Sequence, residues 1–153
     1  MKKIKSTIAP LLLAAMLLAL WTVPAAAADI PEKTVEVVYF SDGSYLTTEV
    51  TYTPALLRAS STTSGKKNAT YSNSSGETQW TLTVNGSFSF NGSSATATSA
   101  SYSYKIYDSG WRIKSGDAYC SGNKAIAEAS FVGSVATRSA TVTLSCSANG
   151  TLS

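Results

Sequence analysis

The chain has 153 residues, no histidine, two cysteines and a formal net charge of +3. The lack of histidine excludes Ser-His-Asp and Cys-His nucleophile systems, HExxH zinc sites and imidazole general bases. Lys2, Lys3 and Lys5 carry the whole positive excess, so the rest of the chain is neutral and offers no basic surface to nucleic acid or anionic lipid.

Residues 1–28 read as a secretory signal peptide. Lys2, Lys3 and Lys5 form its basic region, Leu11 to Trp21 its apolar stretch, and Pro24 precedes an alanine run, Ala25 to Ala28, with A-x-A frames for cleavage. The apolar stretch is short for a bilayer span, so the mature form is expected to have no membrane span. The expected location is extracellular, outside a Gram-positive-type bacterium. Residues 29–153 then form a single exported domain, large enough to bury a core without staples. Within it we read an N-terminal hairpin over 33–52, a linker over 53–65 and a main sheet over 66–153.

In the first hairpin Val35, Val37 and Tyr39 share one parity, Ser41 to Ser44 form the turn, and Leu46, Thr48, Val50 and Tyr52 return. Val38 and Phe40 break the alternation, so this strand is expected to be covered on both faces or bulged. Pro54 ends the second strand, because proline cannot donate to a ladder. The Ser/Thr-rich stretch after it reads as a connection.

The clearest signal runs from Glu77 to Tyr107. Trp80, Leu82, Val84, Gly86, Phe88 and Phe90 alternate with Thr81, Thr83, Asn85, Ser87 and Ser89. A period of two over this length is a strand with one apolar face and one hydroxyl face. After Asn91-Gly92, Tyr102, Tyr104 and Ile106 return on even positions. A two-residue Asn-Gly loop would set even positions against odd ones. A three-residue loop, Phe90-Asn91-Gly92 with Gly92 left-handed, restores parity and puts Trp80 opposite Tyr102 and Leu82 opposite Ala100. Beyond Asp108 to Gly110, Trp111 and Ile113 lie on odd positions but Ala118 and Cys120 on even ones. That slip predicts a bulge near Gly116. Ser121 to Lys124 is a turn, Ala125 to Val132 a small-residue strand, and Ala140, Val142, Leu144 and Cys146 mark the last strand. The fold class is all-β: an antiparallel β-sandwich-like domain or open barrel of about eight strands, following the signal peptide.

From the Trp80 strand to the C-terminus the layout resembles a group of small secreted β-rich proteins from gut-type Firmicutes, and the resemblance covers most of the mature chain. The shared elements are Ser64-Gly65-Lys66, Tyr71 to Gly76, Trp80 to Ala95, Asp108 to Trp111, Ser121 to Lys124 and Thr143 to Ser153. The group is uncharacterised, and the resemblance carries over no catalytic or binding residue. Its members often place a cysteine near the position of Ala97, where this chain has none.

The remaining chemistry is sparse. Asp42 and Asp108 fall in turns, Glu36 and Glu49 on the first hairpin, and Asp117 and Glu128 read as isolated on later strands. No cofactor or metal is expected, and no enzyme. Cys120 and Cys146 leave two states open. A simple three-strand meander would hold them about 10 Å apart, too far to bridge. A last strand crossing to the facing sheet would allow a disulfide. Tyr107, Trp111 and Tyr119 are the candidate binding residues, because Tyr107 and Tyr119 oppose the core parity. An aromatic platform of that kind suits a glycan or another surface protein. The expected role is therefore a non-enzymatic binding or surface-associated domain. A carbohydrate-binding module and a small carboxylate-dependent hydrolase are the alternatives.

Overall fold

The computed structural model describes residues 32–52 and 61–153; the signal peptide read over 1–28 and most of the linker lie outside the described residues. Eight antiparallel strands form two sheets: β1 (Glu32–Tyr39), β2 (Tyr45–Tyr52), β3 (Ser61–Ser72), β4 (Thr78–Phe90), β5 (Ala95–Ile106), β6 (Arg112–Ser121), β7 (Lys124–Val132) and β8 (Thr137–Ser145). The first sheet has the order β1-β2-β3-β4-β5 and the second β6-β7-β8. The two face each other as a sandwich, so of the two expected architectures the open barrel is not adopted. Strand β3 begins at Ser61, which corrects the linker boundary: the Ser/Thr run up to Gly65 pairs with β4.

The core lies where the alternation placed it. Trp80, Leu82, Val84 and Phe88 from β4 meet Ala125, Ala127 and Phe131 from β7 and Val142 and Leu144 from β8, all fully or almost fully buried. Alanines on β7 let the small sheet approach, and the large side chains come from β4. At one end the rings stack. Trp80 lies between Tyr71 (centroids 5.1 Å, 17°) and Phe131 (4.0 Å, 14°). Its indole Nε1 is buried with no hydrogen-bond partner among the described residues.

The central hairpin avoids the two-residue loop, as parity requires, by a different route. Phe90 pairs with Ala95, and the register shifts between Ser87 and Phe88, so Trp80 faces Ile106 and Leu82 faces Tyr104. The loop is Asn91 to Ser94. Asn91 Oδ1 accepts from the amides of Ser93 (3.0 Å) and Ser94 (2.9 Å), and Gly92 takes the expected positive φ of 82°. The three-residue loop and its pairs are thus corrected. A four-residue turn satisfied by one asparagine side chain, plus a bulge at Thr98, gives the same parity. The slip on β6 is also a bulge, between Ile113 and Ser115, two residues before the position expected.

Strand β1 corrects a further expectation. It pairs regularly with β2 from Glu32 to Tyr39 and is the outer strand of its sheet. It is not bulged, and Val35, Val37, Val38 and Tyr39 are all exposed. The five-stranded sheet overhangs the three-stranded one: Val50 is buried, Leu46 and Thr48 are half-buried, and Glu36 and Val38 are open. The β1–β2 turn is tied to the second sheet by the Arg138–Asp42 ion pair, with the guanidinium 4.9 Å from the Phe40 ring centroid.

Trp80→Ala should cost about 3–5 kcal/mol in urea unfolding. Trp80→Phe should cost far less, because it keeps a ring between Tyr71 and Phe131 and removes an unpaired N–H. The Ser44 hydroxyl and amide, then Arg138, hold the Asp42 carboxyl below its ordinary 3.8. A lowered folded-state pKa contributes stability above the unfolded value, lost as pH falls through the folded one. Asp42→Asn should therefore lower the melting temperature at pH 7, and the difference should close in acid below about pH 3.8, checked by thermal melts across pH.

Candidate functional site

The outer face of the three-stranded sheet is built by the hairpin between β6 and β7. Ser121 pairs with Lys124 across a two-residue loop, and Gly122, first in that loop, has the positive φ of 59° that such loops demand. This register sets Asp117 opposite Glu128, and β8 adds Thr141 beside Glu128. Ser115, Ser130 and Ser139 form the neighbouring row, and Tyr119, Ile126 and Thr143 the next. Inward positions are small or apolar, so the outward ones hold the chemistry: two carboxylates, five hydroxyl side chains and a phenol. The face contains a shallow cavity of about 310 Å³ lined by Ser115, Asp117, Glu128, Ser130, Ser139 and Thr141.

Asp117 and Glu128 correct the reading of isolated acids; they are cross-strand partners. Directly opposed like charges destabilise a sheet. Neither has an ion-pair partner among the described residues. Asp117 Oδ1 accepts from the Ala118 amide at 2.8 Å, and the Tyr119 hydroxyl donates to Glu128 Oε1 at 3.0 Å. That hydrogen bond, then desolvation and the negative fields of Glu128 and Asp117, raise the Tyr119 pKa above 10.0. The two carboxylates point the same way from one floor. They can accept hydrogen bonds from a hydroxyl-rich ligand. Among the described residues no group of three or more His, Cys, Asp or Glu could hold a metal ion.

The other candidates are scattered. Tyr107 and Tyr119 are both exposed, but Tyr107 precedes the start of β6 and Tyr119 lies near its end. Seven residues of extended chain, from Arg112 to Tyr119, span about 23 Å. The two rings therefore make no shared platform. One face of Tyr107 is covered by Lys105, whose Nζ is 4.5 Å from the ring centroid. Trp111 is half-buried and belongs to the aromatic cluster, edge-on to Tyr71 at 5.2 Å. Cys120 and Cys146 are free thiols. The observed β6-β7-β8 meander puts a strand between them, which removes the disulfide alternative. Sequence reasoning missed the acidic pair, although a two-residue Gly122-Asn123 loop would have paired 117 with 128.

No family model matches the chain, and no curated protein does. Among solved structures it is similar to the hypothetical protein lmo2686 from Listeria monocytogenes EGD-e, a Firmicute, with 19% identity and a TM-score of 0.46, over 79% of this chain and 92% of that one.

The titration of Tyr119 reports on the site directly. In the folded protein its ring-carbon NMR signal should titrate above the ordinary tyrosine value of about 10. Glu128→Gln, which removes the charge, should bring it down toward that value.

Proposed function

We propose that the chain is a non-enzymatic, exported binding domain that takes a glycan on the outer face of its three-stranded sheet. The observation that carries this reading is the Asp117–Glu128 pair beside Tyr119, on a concave floor of serine and threonine hydroxyls. Carboxylates without cationic partners are strong acceptors for vicinal sugar hydroxyls. An exposed tyrosine offers an apolar ring face at modest entropic cost. Export rests on the signal-peptide pattern and on the resemblance to small secreted Firmicute proteins.

The test is a glycan array probed with the purified domain, followed by calorimetry on the best ligand. Tyr119→Ala and the pair Asp117→Asn with Glu128→Gln should each reduce affinity by tenfold or more, about 1.4 kcal/mol, while the domain stays folded and the neutralised pair melts no lower than the parent. An array without any retained glycan, or variants that bind as well as the parent, would overturn the reading. Reducing ends appearing on incubation would restore the hydrolase alternative.

A further inference from the structure

We propose that two copies of this chain form a reciprocal two-fold dimer in which β1 of each copy becomes the fourth strand of the other's β6-β7-β8 sheet. The overhang of the five-stranded sheet leaves a groove between the inner face of β1–β3 and the free edge of β8. It holds a cavity of about 300 Å³, lined by Glu36, Thr48, Val50, Lys67, Thr143, Ser145 and Ser153. The Asp42–Arg138 ion pair closes one end. At the other, the chain's last residues pair with the end of β8: Ser145 N–H donates to Ser153 O at 2.8 Å, and Ser153 N–H to Ser145 O at 3.0 Å. A strand position beside β8 is thus occupied at one end and open along the rest, among the described residues.

The backbone of β8 shows which groups are open. Ser145 bonds away from β7, whereas Cys146 N–H turns toward it, to Asn123 O at 2.9 Å. Peptide groups alternate along a strand, so Thr143, Thr141 and Ser139 point their N–H and C=O groups to the free edge. On β1, Phe40 N–H bonds Ser44 O at 2.8 Å, so the even positions face β2, and Val37 and Tyr39 direct theirs outward. Odd positions of both strands also lie on the outer faces of their sheets, since Val38 and Leu46 share the row of Tyr71 and Trp80.

Direction and height agree as well. Arg138 meets Asp42 at one end, and Ser145 lies by Val50 and Lys67 at the other, so β8 runs opposite to β1. A two-fold axis parallel to the strands preserves direction, which makes the incoming β1 antiparallel to β8. It also preserves height, which places Val37 of one copy opposite Thr143 of the other, and Tyr39 opposite Thr141. Parity of face, parity of ladder and direction are all met by this one arrangement.

Charge selects the occupant. Lys67 and Glu36 both project from the inner face of the overhang, one row apart, and neither forms an ion pair among the described residues. The incoming β1 carries its Glu36 over β2, beside Lys67, and symmetry makes this contact twice. The exposed Val37, Val38 and Tyr39 become interior to a composite sheet of β6-β7-β8 joined to the other copy's β1 to β5, and Val35 takes the place beside Ser145 that Ser153 holds in the single chain. The arrangement closes on itself and leaves neither β1 nor β8 as an edge. It also brings the second copy's Tyr39 to the end of the Asp117–Glu128–Thr141 row, although the dimer stands independently of what that row binds.

Sedimentation equilibrium on the purified Cys120→Ser protein, with no sugar present, tests this. The expected mass is twice that of the chain. Val37→Pro removes only an N–H aimed at the free edge and should give the single-chain mass with unchanged near-ultraviolet circular dichroism. Lys67→Glu should weaken association, and adding Glu36→Lys should restore it. Val37→Cys with Thr143→Cys should give an intermolecular disulfide dimer on mild oxidation. The proposal is overturned by a single-chain mass at millimolar concentration, by masses that grow without limit, by a cysteine pair that stays reduced, or by a dimer indifferent to both Val37→Pro and the charge reversals.

Discussion

The sandwich depends on the indole of Trp80. It is 1% exposed and stacks on Tyr71 of its own sheet and on Phe131 of the facing one. Stacked aromatic pairs are each worth about 0.5–1.5 kcal/mol beyond the area they bury. Here one ring serves both pairs, so it fixes the distance and the angle between the sheets at once. Trp111 closes the same cluster edge-on, and Arg138 covers Phe40 at its rim. The alanine-rich β7 follows from this: with the large side chains supplied from one side, the other can approach closely only if its inward positions are small.

Where the sequence was legible, one parity coincided with one environment. The alternation from Trp80 to Phe90 meets a covered face on one side and water on the other, and every member of the apolar set is buried. Loops were less legible, because bulges and turns trade residues without changing parity. The bulge opposite Ser87 and Phe88 and the four-residue turn gave the same faces as the simpler loop, with different partners. The β6–β7 turn is legible in Ser121 to Lys124, whereas the carboxylate pair emerges only when the two-residue register is carried back along both strands. Tyr107 and Tyr119 are both exposed. Their separation was not legible, because parity fixes the face of a residue and says nothing of distance along the strand.

Strand β1 shows the limit of that reasoning most clearly. Apolar residues on both parities imply neighbours on both faces, and within one chain β1 has cover on neither. The same composition describes a central buried strand and an exposed edge, and only the lengths of the two sheets separate them. The five-against-three imbalance is therefore as informative as any side chain, since it determines which apolar surface the fold itself leaves unused.

Among the described residues every ladder between strands joins strands that are consecutive along the chain. A sandwich with Greek-key crossings must bring distant segments together before any ladder is complete, at the entropic cost of closing long loops. Here each hairpin can zip from its own turn, and only the docking of the two sheets is long-range. Topologies rich in local pairing fold faster than those dominated by distant pairing. For any chain that orders from its N-terminal side, the five strands of the first sheet can pair before the sixth is needed. The late step is then the seating of Phe131 on Trp80, which makes the two preformed sheets into one cooperative unit.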